Sequence, residues 1–201
     1  MHTVTFASPP LAGIESEQTA DVISATGVSR FVPISPGRRT LRSFGSALAQ
    51  RKPHFFVAAK DLRFERMIER GDLGEFDVIH LDGLVAFNYF EAARDACKKV
   101  SVDLRDAWSL LYTRILSSKR GADKVYTHLK LKLLERVERE VVDKATELIV
   151  ISDVDRNYLA EKYNRDRESI RVVANGVESH PIQAEKVKNE DDPRMKMILL
   201  F

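Results

Sequence analysis

Residues 130–152 read KLKLLERVEREVVDKATELIVIS, and two periodicities follow one another within them. Leu129, Leu133, Val137, Val141 and Ala145 recur at helical spacing with Leu134 beside them, while Arg136, Glu138, Arg139 and Glu140 fall mostly elsewhere. That spacing predicts a long amphipathic helix. Directly after it, residues 147–151 form a nearly continuous apolar run rich in β-branched side chains and closed by Ser152 and Asp153, the pattern of a strand buried on both faces. A helix feeding such a strand implies a parallel sheet.

The same alternation runs along the rest of the chain. Strands are expected at residues 3–6, 30–34, 76–81, 99–104 and 170–173. Helices are expected at 15–25, 38–51, 61–70 (capped by Asp61) and 85–98. Ser152 opens one more helix as a capping box with an aspartate, Asp155, in the third place. Ser8-Pro9-Pro10, Pro36-Gly37 and Asn175-Gly176 are turns, residues 54–58 an apolar connection, and 108–123 fit either helix or loop. Strands and helices alternating in this way give an α/β fold, a doubly wound Rossmann-like parallel sheet spanning residues 1–178. Residues 179–196 have the polar composition of a linker, and residues 197–201 begin a new apolar strand.

Composition narrows the class. The 201 residues are 44% hydrophobic and 31% charged, enough to bury a full core. A formal net charge of +2 gives no argument for nucleic acid as a partner. The single cysteine, Cys97, cannot form an internal disulfide, which fits a reducing compartment. No apolar run approaches the ~20 residues that span a bilayer, and the N-terminal residues lack the pattern of a secretory signal. The expectation is a cytoplasmic protein. Arg38, Arg39 and Arg42 gather near the start of a predicted helix, where cations oppose the dipole. A solvated face is the plain account of them; the sharper one is peripheral contact with anionic lipid at the inner face of the membrane, to which Arg114, Lys119, Arg120 and Lys124 could contribute.

In a doubly wound domain ligands bind outside the carboxyl ends of the strands, where loops converge on a crevice lined by helix N-termini. That rule selects Asp82 and Gly83, Arg105 and Asp106, Ser152 and Asp153, and Asn175 and Gly176. Each has a structural account as well: Ser152 as a helix cap, Asp106 as a cap for whatever follows, Asn175-Gly176 as a turn. Four polar pairs at four strand ends make a cleft. The five histidines are scattered without ligand spacing, so no metal site is expected, and His80 reads as a satisfied core histidine.

Residues 140–152, EVVDKATELIVIS, then 170–178, IRVVANGVE, then a linker into Ile198-Leu-Leu-Phe201, resemble the end of the N-terminal domain of GT-B glycosyltransferases of family 4, in the manner of the exopolysaccharide sugar transferases. Asp77-Val-Ile-His-Leu81 and Val102-Asp-Leu-Arg-Asp-Ala-Trp108 fit the middle strands of that domain. The resemblance implies two Rossmann-like domains across a cleft, the N-terminal one holding a glycan or lipid-linked acceptor and the C-terminal one a nucleotide-sugar donor. It implies retaining transfer in polysaccharide biosynthesis, with no cofactor and no metal. Asp82 and Gly83 then border the acceptor together with Ser152, and Arg105 with Asp106 stands where many relatives carry a histidine-containing pair. Asn175, Gly176 and Glu178 mark the interdomain hinge, Glu178 replacing the commoner aspartate.

The resemblance also implies parts outside these residues: a first strand with a glycine-rich loop upstream, and a donor-binding domain with paired glutamates downstream. The expectation is a portion of a glycosyltransferase that is inactive in isolation. The alternative is a self-standing Rossmann-like binding module or a degenerate transferase without catalysis. A hydrolase is disfavoured because Ser152 lacks a Gly-x-Ser-x-Gly elbow.

Overall fold

The computed structural model describes residues 4–9, 28–35, 37 and 39–176. The helix expected at 15–25, the linker at 179–196 and the strand at 197–201 lie outside the described residues, as do Arg38 and Glu178.

Two parallel sheets carry the fold. Strand β1 (Thr5–Ser8) pairs with β2 (Arg30–Pro33). A four-stranded sheet runs β3 (Ile79–Asp82), β4 (Val100–Asp103), β5 (Glu147–Val150) and β6 (Ile170–Val172) in sequence order. Every neighbouring pair in it is parallel, as the buried strand at 147–151 requires. Leu81, Val102, Leu148 and Ile170 stand opposite one another across the four strands. All four are buried, and they form one apolar row through the main core.

Helices connect and cover the strands. They are α1 (Leu41–Gln50), α2 (His54–Ala58), α3 (Leu62–Glu69), α4 (Phe90–Ala96), α5 (Trp108–Ser118), α6 (Gly121–Lys144) and α7 (Asp153–Tyr163). Thr40 and Ser43 form a reciprocal capping box at α1. Asp61 caps α3 as its sequence predicts, accepting from the backbone N–H of Arg63 at 2.8 Å. A second, smaller core of Val32, Ile34, Phe64, Ile68, Leu73, Tyr89 and Ala92 ties β2 and α3 to the segment after β3.

Three expectations are corrected and one left open is settled. Residues 54–58 are a short helix, not a connection: Phe56 and Ala58 bury themselves in it. The helix expected over 85–98 is a 3₁₀ segment, Leu84–Tyr89, followed by α4, because Asn88 turns its side-chain amide onto the carbonyls of Phe56 and Val85. Residues 108–123 resolve into α5, a turn at Lys119 and Arg120, and the start of α6. The buried face of α6 keeps the expected Leu134, Val137 and Val141, with Ala145 after it, but departs from the expected stripe at Leu129 and Glu138. Thr127, Leu131, Leu134, Val137, Glu138, Val141 and Val142 face inward, whereas Leu129 is exposed. Contact with α5 sets these departures, and a helical wheel of α6 alone carries no record of them.

Candidate functional site

The carboxyl ends of β3, β4, β5 and β6 lie side by side, so the loops selected by the strand-end rule converge. Asp82 ends β3, and Gly83 follows in a left-handed conformation (φ +83°) that suits glycine. No atom lies within 4 Å of where a Cβ would stand on Gly83, so conformation alone accounts for the glycine. Its N–H donates to the carbonyl of Asp103 at 2.7 Å, stitching the first loop to the second.

Arg105 is the focus of the site. Its backbone is held at φ +59°, a strained conformation for a side chain of this size. The Asp103 carboxylate accepts from its N–H at 2.7 Å, and Ile151 donates to its carbonyl at 3.0 Å. In this posture the guanidinium reaches back to β3. Nε donates to Asp82 Oδ1 at 2.6 Å, and a second nitrogen donates to Oδ2. The fork is bidentate, the strongest geometry for an arginine–carboxylate pair. Both partners remain exposed. The hydrogen bond from Arg105 holds the Asp82 carboxyl below its usual range, although partial burial opposes it. The same bond raises the Arg105 guanidinium further above its ordinary value.

The remaining candidates fall into place differently. Ser152 is the N-cap of α7, accepting from the N–H of Asp155 at 3.2 Å. The expected capping box does not close, because the Asp155 carboxylate turns the other way. It accepts from the Ser152 hydroxyl and, at 3.0 Å, from the backbone N–H of Ala107. Asp106 caps nothing; the N-cap of α5 is Ala107, which has no side-chain oxygen to offer. The exposed Asp106 carboxylate lines a shallow depression of about 130 Å³ with Ala107, Leu110, Leu111, Arg114 and Asp155. Asn175 and Gly176 are exposed beyond β6. His80 does have a partner, Ser101 Oγ at 2.9 Å from Nδ1, but its ring is exposed and not in the core.

Sequence reasoning missed two carboxylates. Asp155 was assigned to its own helix, and Glu138 was placed among the residues turned away from the core; Glu138 is in fact 0% exposed. Neither carries a usable signal, because the Ala107 and Ser109 amides they hold lie 48 and 29 residues away in the chain. Among the described residues, no three His, Cys, Asp or Glu side chains gather as a metal site would require. None of the described helices is long and apolar enough to cross a membrane.

The family model described as a glycosyl transferase 4-like domain matches residues 2–176 of the chain. No curated protein matches it.

Proposed function

Because the chain belongs to the glycosyl transferase 4-like family, we propose that it is the acceptor-side domain of a retaining enzyme that moves a sugar from a nucleotide-sugar donor to a glycan or lipid-linked acceptor in polysaccharide biosynthesis. The observation that carries this reading is the Asp82–Arg105 pair, an exposed bidentate fork between the ends of adjacent parallel strands. A carboxylate and a guanidinium held against each other at adjacent strand ends offer acceptors and donors in fixed directions, which is what orienting a sugar hydroxyl for transfer requires. The leaving diphosphate is stabilised by helix N-termini and basic side chains without a metal, and the groups that do this belong chiefly to the donor-binding half. On this reading the isolated chain binds acceptor and turns nothing over.

The test is transfer from labelled nucleotide sugars to a panel of glycan and lipid-linked acceptors, catalysed by the protein with its native flanking sequence. Arg105→Gln and Asp82→Asn are expected to raise the acceptor KM and leave the donor KM unchanged. Wild-type acceptor kinetics in both variants would remove the pair from the site. Turnover by the isolated chain would refute the division of labour.

Peripheral membrane contact belongs to the same proposal. On α1, Leu41 is 92% exposed, Leu48 72% and Phe44 57%, and Arg39 and Arg42 are exposed at its start. Apolar side chains flanked by cations and unaccompanied by a single acid over residues 38–52 suit an anionic lipid surface that presents a lipid-linked acceptor.

A further inference from the structure

Glu138 lies in the middle of α6, and each hydrogen bond its carboxyl makes reaches another helix. Oε1 accepts from the backbone N–H of Ser109 at 3.1 Å. Oε2 accepts from the Ser109 hydroxyl and, at 2.7 Å, from the Tyr163 hydroxyl of α7. Ser109 is the second residue of α5, where amides have no partner within the helix. With Ala107 at the N-cap, those amides also lack a local side-chain cap. Two carboxylates from other helices take its place: Asp155 of α7 accepts from Ala107, and Glu138 of α6 from Ser109. Arg105 and Asp106 immediately precede the first of these amides, that of Ala107.

We propose that Glu138 is a positioning residue for sugar transfer, anchoring residues 105–109 together with Asp155 so that Arg105 stays in register with Asp82. This rests on the acceptor-side reading above. A carboxyl buried without good partners is costly, and a hydrocarbon of similar volume would serve packing better. What a satisfied buried carboxyl supplies is one unique arrangement of the groups that bond to it. Here two of those groups belong to Ser109, four residues beyond Arg105 in the chain. The network around it is closed on every side. Tyr158 of α7 meets the Ser109 hydroxyl at 3.1 Å, and Lys162 donates to Tyr158 at 2.7 Å and to Glu135 at 2.8 Å. Arg139 lies over the Tyr163 ring at 5.1 Å. Burial pushes the Glu138 carboxyl up, while its three donors and Lys162 pull the other way.

The experiment compares Glu138→Gln and Glu138→Leu with the wild-type full chain by amide hydrogen exchange and by the emission of Trp108, the only tryptophan, which adjoins both anchored amides. In Glu138→Leu the Ser109 amide is expected to exchange about tenfold faster relative to amides of β5, with a red shift of Trp108 emission. Glu138→Gln keeps an oxygen for the Ser109 N–H and should restore both signals. If Glu138→Leu does not fold, Ser109→Ala removes one of the three donors and should move both signals the same way by a smaller factor. Unchanged Ser109 exchange and Trp108 emission in the folded variant, or equal acceleration throughout β5, would overturn the proposal. In the transfer assay the acceptor KM of the same variant is expected to rise with kcat held; equal loss in both parameters would also overturn it. A wild-type protein that transfers no sugar would refute the proposed function instead, leaving exchange at Ser109 to decide the positioning.

Discussion

Arg105 and Glu138 pay opposite costs at the same site. The strained backbone of Arg105 is tolerated because the residue is bonded at its N–H, its carbonyl and its side chain. Arg105→Gly should therefore fold as stably as the wild type or about 1 kcal/mol more so, since glycine relieves the left-handed strain, while acceptor binding is lost; chemical denaturation and acceptor titration measure the two separately. The two carboxyls also differ in sign with pH. Asp82 is held below its ordinary value, so its contribution is present above the unfolded pKa of about 3.9 and fades as pH falls through the folded one. Because the pair is exposed, that contribution is small. Glu138 is pushed above its ordinary value, so its protonated form favours the fold. Its contribution is complete below the unfolded pKa of about 4.3 and is lost as pH rises through the folded one. Glu138→Gln should accordingly gain stability relative to wild type as pH rises from about 4 towards neutrality, read from denaturation midpoints across that range. A flat difference would contradict the assignment.

At the scale of elements, α6 is the most legible helix in the chain, and its departures from the sequence pattern are Leu129 and Glu138. Its existence follows from any apolar repeat near 3.6 residues, but which polar residue is drawn inward depends on what α5 and α7 present to it. Its C-terminus shows the same dependence. Arg165, beyond α7, donates to the carbonyls of Val142 and, at 2.8 Å, Ala145, closing a helix end from outside. Arg165→Ala should lower stability by about 1–3 kcal/mol, since buried acceptors lose a charged donor; thermal melts of the variant check it. Helix α1 is the reverse case: Leu41, Phe44 and Leu48 are exposed, and Phe44 meets the His54 ring, edge to face at 5.7 Å. Replacing Leu41, Phe44 and Leu48 with glutamine should leave the melting temperature unchanged and weaken sedimentation with anionic vesicles. Replacing Arg38, Arg39 and Arg42 with glutamine should weaken it at low salt. Undiminished sedimentation in both would remove the membrane from the proposal.

Across the whole molecule, one apolar row from Leu81 to Ile170 crosses all four strands, so the site is only as rigid as the sheet beneath it. Leu148→Ala, at the centre of that row, should destabilise the fold by about 2–5 kcal/mol through the cavity it leaves, measured by denaturation. The strands, their parallel sense, the caps at Asp61 and Ser152 and the placing of Asp82, Gly83 and Arg105 at neighbouring strand ends were all determined by the sequence alone. Each follows from residues close together in the chain, or from the rule that parallel strands present their carboxyl ends to one side. The tertiary structure alone decided that Arg105 grips Asp82, that Asp155 leaves its own helix for Ala107, and that Glu138 turns inward to hold Ser109. Those bonds join residues 23, 48 and 29 positions apart. A side chain on a helix can reach solvent or a neighbouring helix with equal ease, and only packing, which removes the water, makes the second choice the lower in free energy.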